Sequence, residues 1–216
     1  VLCTSVRAFL RFLFHTRRLP IDLSPLVIGP RVYAQEGIPF PLPDREVEAI
    51  LRCVNRTTKQ GRRDYAILLL LARYGLRAGE VTRLRLDDID WRHGHLRIRQ
   101  RKAGTPYQLP LLSDVARALV SYLKHGRPDV PFREIFIRVH APFRPFSDGG
   151  SLTHLCRDAI DRAKLKRSQY KGSHAFRHSL ATRLVRLGQP LKTVGDVLGH
   201  RSHQSALVYA KLNLRD

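Results

Sequence analysis

A chain of 216 residues holds one sizeable core, or one domain and part of a second, and is too short for a many-domain machine. At 43% hydrophobic and 8% aromatic residues its composition is that of a folded domain and excludes a disordered chain. Against 18 Asp and Glu stand 39 Lys and Arg, a formal charge of +21 spread along the whole chain, which calls for a polyanionic partner.

Of those cations 31 are Arg and 8 are Lys, and the planar guanidinium suits bidentate contacts to phosphate. The three cysteines, Cys3, Cys53 and Cys156, stand far apart with no CxxC pair, so reduced, buried and inert thiols are expected. The longest apolar run, Ala66 to Ala72, is too short to span a bilayer, and the first twenty residues mix apolar residues with Arg. No membrane association and a cytoplasmic location are expected. The sequence opens with Val1 and contains no Met, which is expected of a fragment of a longer frame.

Along the chain, Val6, Phe9, Leu10 and Leu13 recur at helical spacing and predict an amphipathic helix over Ser5 to Phe14. Eight Pro and Gly residues between Arg17 and Pro43 exclude a regular element and read as a linker. Asp44 then stands as a candidate N-cap before Val47, Ile50, Leu51 and Val54. Asp64 to Tyr74 is apolar nearly all round, as a central buried helix would be, and Gly75 stops it. A further helix, Ala78 to Arg85, follows. Alternation at Ile89 and Trp91, at Leu96 and Ile98, and at Tyr107, Leu109 and Leu111 predicts a small antiparallel sheet turned at His93-Gly94 and at Gly104-Thr105-Pro106. Helical spacing returns over Val115 to Leu123, Leu152 to Ile160, Ala175 to Leu187, Leu191 to Leu198 and Gln204 to Leu212.

Four local patterns carry chemistry, each ordinary by itself. Ser173-His174-Ala175-Phe176-Arg177 places an imidazole and a guanidinium three residues apart at a helix start, with Ser173 as N-cap. Leu198-Gly199-His200 ends a helix, and Tyr209 lies nine residues on. Gly75-Leu76-Arg77-Ala78-Gly79-Glu80 puts Arg77 in a turn with Glu80 able to orient it; alone this is an exposed pair worth about 0.3–0.5 kcal/mol. Lys102 is the one Lys between Lys59 and Lys124 and sits on the hairpin. His174 and His178 have helical i, i+4 spacing, but no Glu follows the first His as in a zinc HExxH helix.

Taken together, and in this order, Arg77, Lys102, His174, Arg177, His200 and Tyr209 resemble the catalytic set of the tyrosine recombinase (phage integrase) family, from Asp44 to the C-terminus. The resemblance implies an α+β, mainly helical catalytic domain with a three-stranded antiparallel sheet over 44–216. It further implies a Pro-rich linker over 17–43 and, over 1–16, a remnant helix of an N-terminal core-binding domain. It implies a site-specific recombinase in which Tyr209 is the nucleophile, Arg77 and Arg177 clamp the phosphate, and His174 accepts the phenol proton. His200 adds a hydrogen bond, and Lys102 protonates the leaving 5′-hydroxyl. A 3′-phosphotyrosine forms with no ATP, cofactor or metal, because the cationic cluster does the work of a divalent ion. The implied partners are double-stranded DNA and, on DNA, three further copies in a homotetramer associated with the nucleoid. Two alternatives share the residues: a catalytically impaired DNA-binding remnant, and a type IB topoisomerase-like relaxing enzyme.

Overall fold

The computed structural model describes residues 2–28, 41–99, 106–165 and 172–199. The chain forms two compact units, Val1–Gly37 and Ile38–Asp216.

In the first unit, α1 spans Leu2–His15, longer at both ends than the apolar spacing marks. Arg7 donates from Nε and Nη2 to the Val27 carbonyl, and Arg11 Nε donates to Ser24 Oγ. These bonds tie the helix to a 3-10 turn at Ser24–Leu26 inside the Pro-rich stretch.

The second unit is built around α3, Lys59–Tyr74, in which Ile67, Leu68, Leu69, Leu70 and Leu71 are all essentially inaccessible. Burying such a side chain stabilises the fold by about 1.5–3 kcal/mol. This helix starts five residues before the apolar pattern does, because Thr58 Oγ1 accepts from Gly61 N at 3.0 Å and caps a polar first turn. It ends where expected: Gly75 takes φ 61°, and its N–H reaches Leu71 O. Packed on α3 are α5 (Ser113–His125), α7 (Ser173–Arg186), α2 (Asp44–Arg52) and α4 (Ala78–Thr82). Around them stand α6 (Gly150–Arg162) and α8 (Leu191–Val197).

The sheet is three-stranded and antiparallel in the order β1 (Ile89–Asp90), β2 (His95–Ile98), β3 (Tyr107–Pro110). Leu96 faces Leu109 and Ile98 faces Tyr107, so the apolar alternation lies on the core side. The outer strand is shorter than the alternation predicts, and Trp91 lies beyond it, exposed. Tyr74 Oη accepts from Leu112 N and donates to Pro110 O, fastening the end of α3 to the end of β3.

Several expectations shift. Pro43, not Asp44, precedes α2, and Asp44 lies in the first turn, where its carboxylate still faces the positive end of the helix. Gly172, not Ser173, is the cap of α7, and Ser173 is buried in the first turn. The helix expected to run to Arg85 stops at Thr82, and a 3-10 turn at Leu86–Asp88 leads into the sheet. Cys156 is buried, and burial pushes its thiol up to about 12, but Cys53 is exposed and Cys3 half-buried. The helix expected over Gln204 to Leu212 lies outside the described residues. No helix among the described residues is long and apolar enough to cross a membrane.

Candidate active site

Three of the six candidate residues lie among the described residues, and they come from two segments far apart in sequence. Arg77 follows the left-handed Gly75 and is the N-cap of α4. Its own N–H donates to Glu80 Oε2 at 2.8 Å, and its Nη1 donates to Glu80 Oε1 at 3.0 Å. One carboxylate therefore holds both the backbone and the head of Arg77. The exposure is uneven: the Glu80 side chain is 3% exposed, that of Arg77 42%. Glu80 is thus a buried anchor, and the guanidinium it holds keeps an open face.

Arg177, in the second turn of α7, is 4% exposed. Its Nη1 donates to Gly75 O and its Nη2 to Leu198 O, both at 2.6 Å. One guanidinium thereby ties the end of α3 to the end of α8. Such bonds from a charged donor are short and about twice as strong as neutral ones. The close approach needs Gly75: a Cβ there would lie 2.8 Å from Leu198 Cδ2, 3.1 Å from Leu180 Cδ2 and 3.6 Å from Arg177 Cα. Leu198 and Leu180 belong to a small apolar cluster with Ala181, Val185 and Val194 that packs α7 on α8. Behind α7, Ser179 Oγ accepts from Leu42 N and donates to Ala175 O, fixing the helix to the strap that leads into α2.

His174, one turn before Arg177, is exposed by area, yet its pKa is lowered. Partial burial is the largest cause, followed by the charges of Arg177 and then Arg77. His178 lies a turn further on, its ring centroid 6.3 Å from that of His174. Burial, then His174 and Arg177, push its pKa down to about 4. Both imidazoles are neutral at neutral pH, and a neutral imidazole accepts a proton.

The site therefore gathers Arg77, His174, Arg177 and the Leu198-Gly199 backbone. Lys102, His200 and Tyr209 lie outside the described residues. Two features were not read from the sequence. One is that Arg177 turns its fork onto two carbonyls. The other is Tyr107 on β3, whose hydroxyl is buried within reach of the charges of Glu80, Arg177 and Arg77. An aromatic in an alternating strand reads as core, and only the site's three-dimensional closure sets this one apart.

A mainly helical unit with a three-stranded antiparallel sheet, and Arg, His and Arg drawn together from its G-x-R-x-x-E and H-x-x-R segments, has the fold of a tyrosine recombinase catalytic domain. The family model described as phage integrase matches residues 41–215, and the chain belongs to that family. It is similar to two Sinorhizobium fredii proteins named as integrase/recombinases. It is 37% identical to y4rA over 214 residues, covering 99% of this chain and 52% of y4rA. It is 41% identical to y4gC over 172 residues, covering 79% of this chain and 88% of y4gC. To the tyrosine recombinase XerC of Oceanobacillus iheyensis it is 30% identical over 219 residues, 95% of this chain and 67% of XerC. The chain thus spans about half the length of y4rA. Among solved structures, the post-cleavage complex of the XerH site-specific recombinase with a palindromic difH substrate superposes with a TM-score of 0.70. That superposition covers 85% of this chain and 52% of XerH at 22% identity.

Proposed function

We propose that the chain carries the catalytic domain of a site-specific recombinase that cuts and rejoins duplex DNA through Tyr209. The phenol oxygen of Tyr209 attacks the scissile phosphorus, and its proton passes to the neutral His174. Arg77 and Arg177 stabilise the charge that gathers on the non-bridging oxygens, and His200 adds a hydrogen bond to one of them. The bond from phosphorus to the 5′-oxygen breaks, and Lys102 supplies the proton to the leaving hydroxyl. The 3′-phosphotyrosine keeps the energy of the phosphodiester, so a second 5′-hydroxyl reverses the step on a new strand without ATP or metal.

The observation that carries this reading is the meeting of Arg77, His174 and Arg177 from separate motifs, where burial first and then the charges of Arg177 and Arg77 lower the pKa of His174. A neutral His beside two fixed cations is what a phenol nucleophile, with an ordinary pKa near 10, needs in order to lose its proton next to a phosphate. The charge of +21 fits a duplex DNA partner, and XerH is crystallised on its difH substrate. The same reading assigns residues 1–16 to a core-binding domain, 17–43 to a linker and 44–216 to the catalytic domain. It gives the working form as a homotetramer on DNA in the nucleoid.

The test is a suicide duplex, nicked so that the cleaved fragment diffuses away, resolved on a denaturing gel. A covalent protein–DNA adduct that is lost in Tyr209→Phe is the expected result. An equal adduct with Tyr209→Phe removes the nucleophile assignment.

A further inference from the structure

The segment between α5 and α6 forms neither a helix nor a strand of the sheet, yet it is fixed at its neck. Ile137 N donates to Tyr122 Oη at 3.1 Å, and Ile137 O accepts from Arg63 Nη1 at 3.3 Å. A bridge pairs Ile137 with Pro145, and Arg138 N donates to Arg144 O at 2.9 Å, closing the loop 138–144. Just past it the ring of Phe146 lies under the Arg63 guanidinium, 5.1 Å from centroid to Cζ. Arg63 is 7% exposed and is held by Asp64, 8% exposed, through bonds of 2.9 and 2.7 Å to one carboxylate oxygen. A buried ion pair is a poor way to gain stability, since apolar residues of similar volume do as well or better. What this pair does is hold the neck of an exposed loop.

The loop itself is cationic. No Asp or Glu occurs from Ile135 to Ser147, and Arg138, His140, Phe143 and Arg144 are all exposed. Phe143 keeps 45% of its surface in solvent. Unlike Arg63 and Arg77, the guanidiniums of Arg138 and Arg144 have no ion-pair or hydrogen-bond partner among the described residues. Pro142 within the loop and Pro145 after it each fix φ. The loop is thus ordered before any partner arrives, and the entropy that a flexible basic loop would lose on binding is lost already in folding.

Its place follows from Gly149, where a Cβ would lie 2.8 Å from Ala78 Cβ and 3.1 Å from Gly79 N, beside Arg77. Phe143 stands six residues earlier (149 − 143), a path of at most roughly 20 Å. One turn of a duplex is about 34 Å long, so DNA with a phosphate on Arg77 carries further phosphates within the range of the loop. We propose that the loop 138–144 is a second DNA-gripping element beside the Arg77 site: Arg138 and Arg144 take backbone phosphates of the duplex, and Phe143 packs on the sugar edges between them. This rests on the reading of the chain as one that acts on DNA. The charge of +21 and the nearness of Arg77 favour a duplex over an acidic protein as the partner.

The test titrates a fluorescein-labelled duplex of arbitrary sequence with the chain, read by anisotropy over a series of KCl concentrations. Each phosphate contact adds about 0.9 to the steepness of log K against log salt. Arg138→Gln and Arg144→Gln should each lower that steepness by about 0.9, and Arg138→Lys and Arg144→Lys should keep it. Phe143→Ala should weaken binding about fivefold at every salt concentration with the slope unchanged, because an apolar contact releases no counterion. Arg92→Gln, at an exposed arginine of the β1–β2 turn, measures what bare loss of charge does and should change the slope less. All of these side chains are exposed, so the melting midpoints should stay with that of the parent.

Parental slope and affinity in the loop variants overturn the proposal. So does a loss of slope in Arg92→Gln equal to that in Arg138→Gln, which makes the effect one of total charge. A change of oligomeric state in Phe143→Ala, seen by analytical ultracentrifugation with duplex affinity intact, gives the loop to a second copy and overturns it too. The nucleophile reading is tested apart: duplex binding without an adduct on the suicide substrate removes Tyr209 and leaves the slopes to decide the loop. A chain that binds no duplex at any salt concentration ends both.

Discussion

Replacing Arg177 by Lys keeps the charge and removes the fork. The guanidinium reaches Gly75 O with one terminal nitrogen and Leu198 O with the other, both at 2.6 Å. A lysine has one nitrogen and cannot match that planar, two-nitrogen span. One of the two charge-assisted bonds is then lost, at about 1.5–3 kcal/mol for a hydrogen bond to a charged group. Because Arg177 is only 4% exposed, water is poorly placed to replace it. For a unit of this size each kcal/mol moves the melting midpoint by roughly 2–4 °C, so Arg177→Lys should melt about 3–12 °C lower. The assay is thermal unfolding by circular dichroism, with Arg77→Lys as the control. The Arg77 side chain is 42% exposed and a lysine there can still pair with Glu80, so this variant should melt closer to the parent than Arg177→Lys. Melting of Arg177→Lys within a degree of the parent, or an equal loss in both variants, would refute the idea that Arg177 staples the two loops.

Two further outcomes concern the same region. Gly75→Ala places a methyl 2.8 Å from Leu198 Cδ2 on a residue with φ 61°; it should destabilise by more than about 1 kcal/mol, read as a lower urea midpoint, and a neutral result would mean that α8 is not packed on this turn. The second follows from His178, whose pKa is lowered from its ordinary value of 6.5 to about 4 in the folded chain, by burial first and then by His174 and Arg177. The unfolded chain binds the extra proton between those values, so stability is complete above about pH 6.5 and erodes as the pH falls toward 4. Between pH 7 and 5 the loss stays below about 2 kcal/mol, because solvent screens a ring that is only half-buried, and urea titrations should show it larger for the parent than for His178→Gln. Equal losses would mean that the imidazole titrates freely.

How far the sequence disclosed the molecule depends on the range of the interactions. The apolar run from Ile67 to Leu71 and the alternation at Leu96, Ile98 and Leu109 mark the central helix and the sheet, because their periodicity is local. The first turn of α3 escaped notice because Lys59 to Arg63 are polar and the signal there is a cap, Thr58, rather than a face. Between α5 and α6, Ile135, Phe136 and Ile137 are buried without a helix or a named strand. They are held by Ile135 N on Leu84 O, Ile137 N on Tyr122 Oη and an isolated bridge to Pro145. Those contacts join distant segments, and no spacing rule reports them. At the site, the order of the motifs pointed to Arg77, His174 and Arg177, which the fold brings near one another, and Glu80 holds Arg77 as its spacing suggests. The burial of Arg177 could not be read, since its partners lie 102 and 21 residues away.

On the proposed function, that burial bears on how the site engages a phosphate. An arginine free in solvent must first be ordered and stripped of water, and the binding energy it then supplies is reduced by both costs. Arg177 meets those costs during folding, because the carbonyls that fix it are the ends of α3 and α8. Arg77 does so in part, through a buried Glu80 that leaves one face of the guanidinium open. In that proposal the two cations divide the work: one sets the frame and the field, the other retains the freedom to engage. On the proposed function, removing either should cost the reaction, and removing the first should cost the fold more, because Arg177 is the more deeply buried. The difference is decided by which side of each fork is already occupied, a property of the closed structure rather than of the residue type.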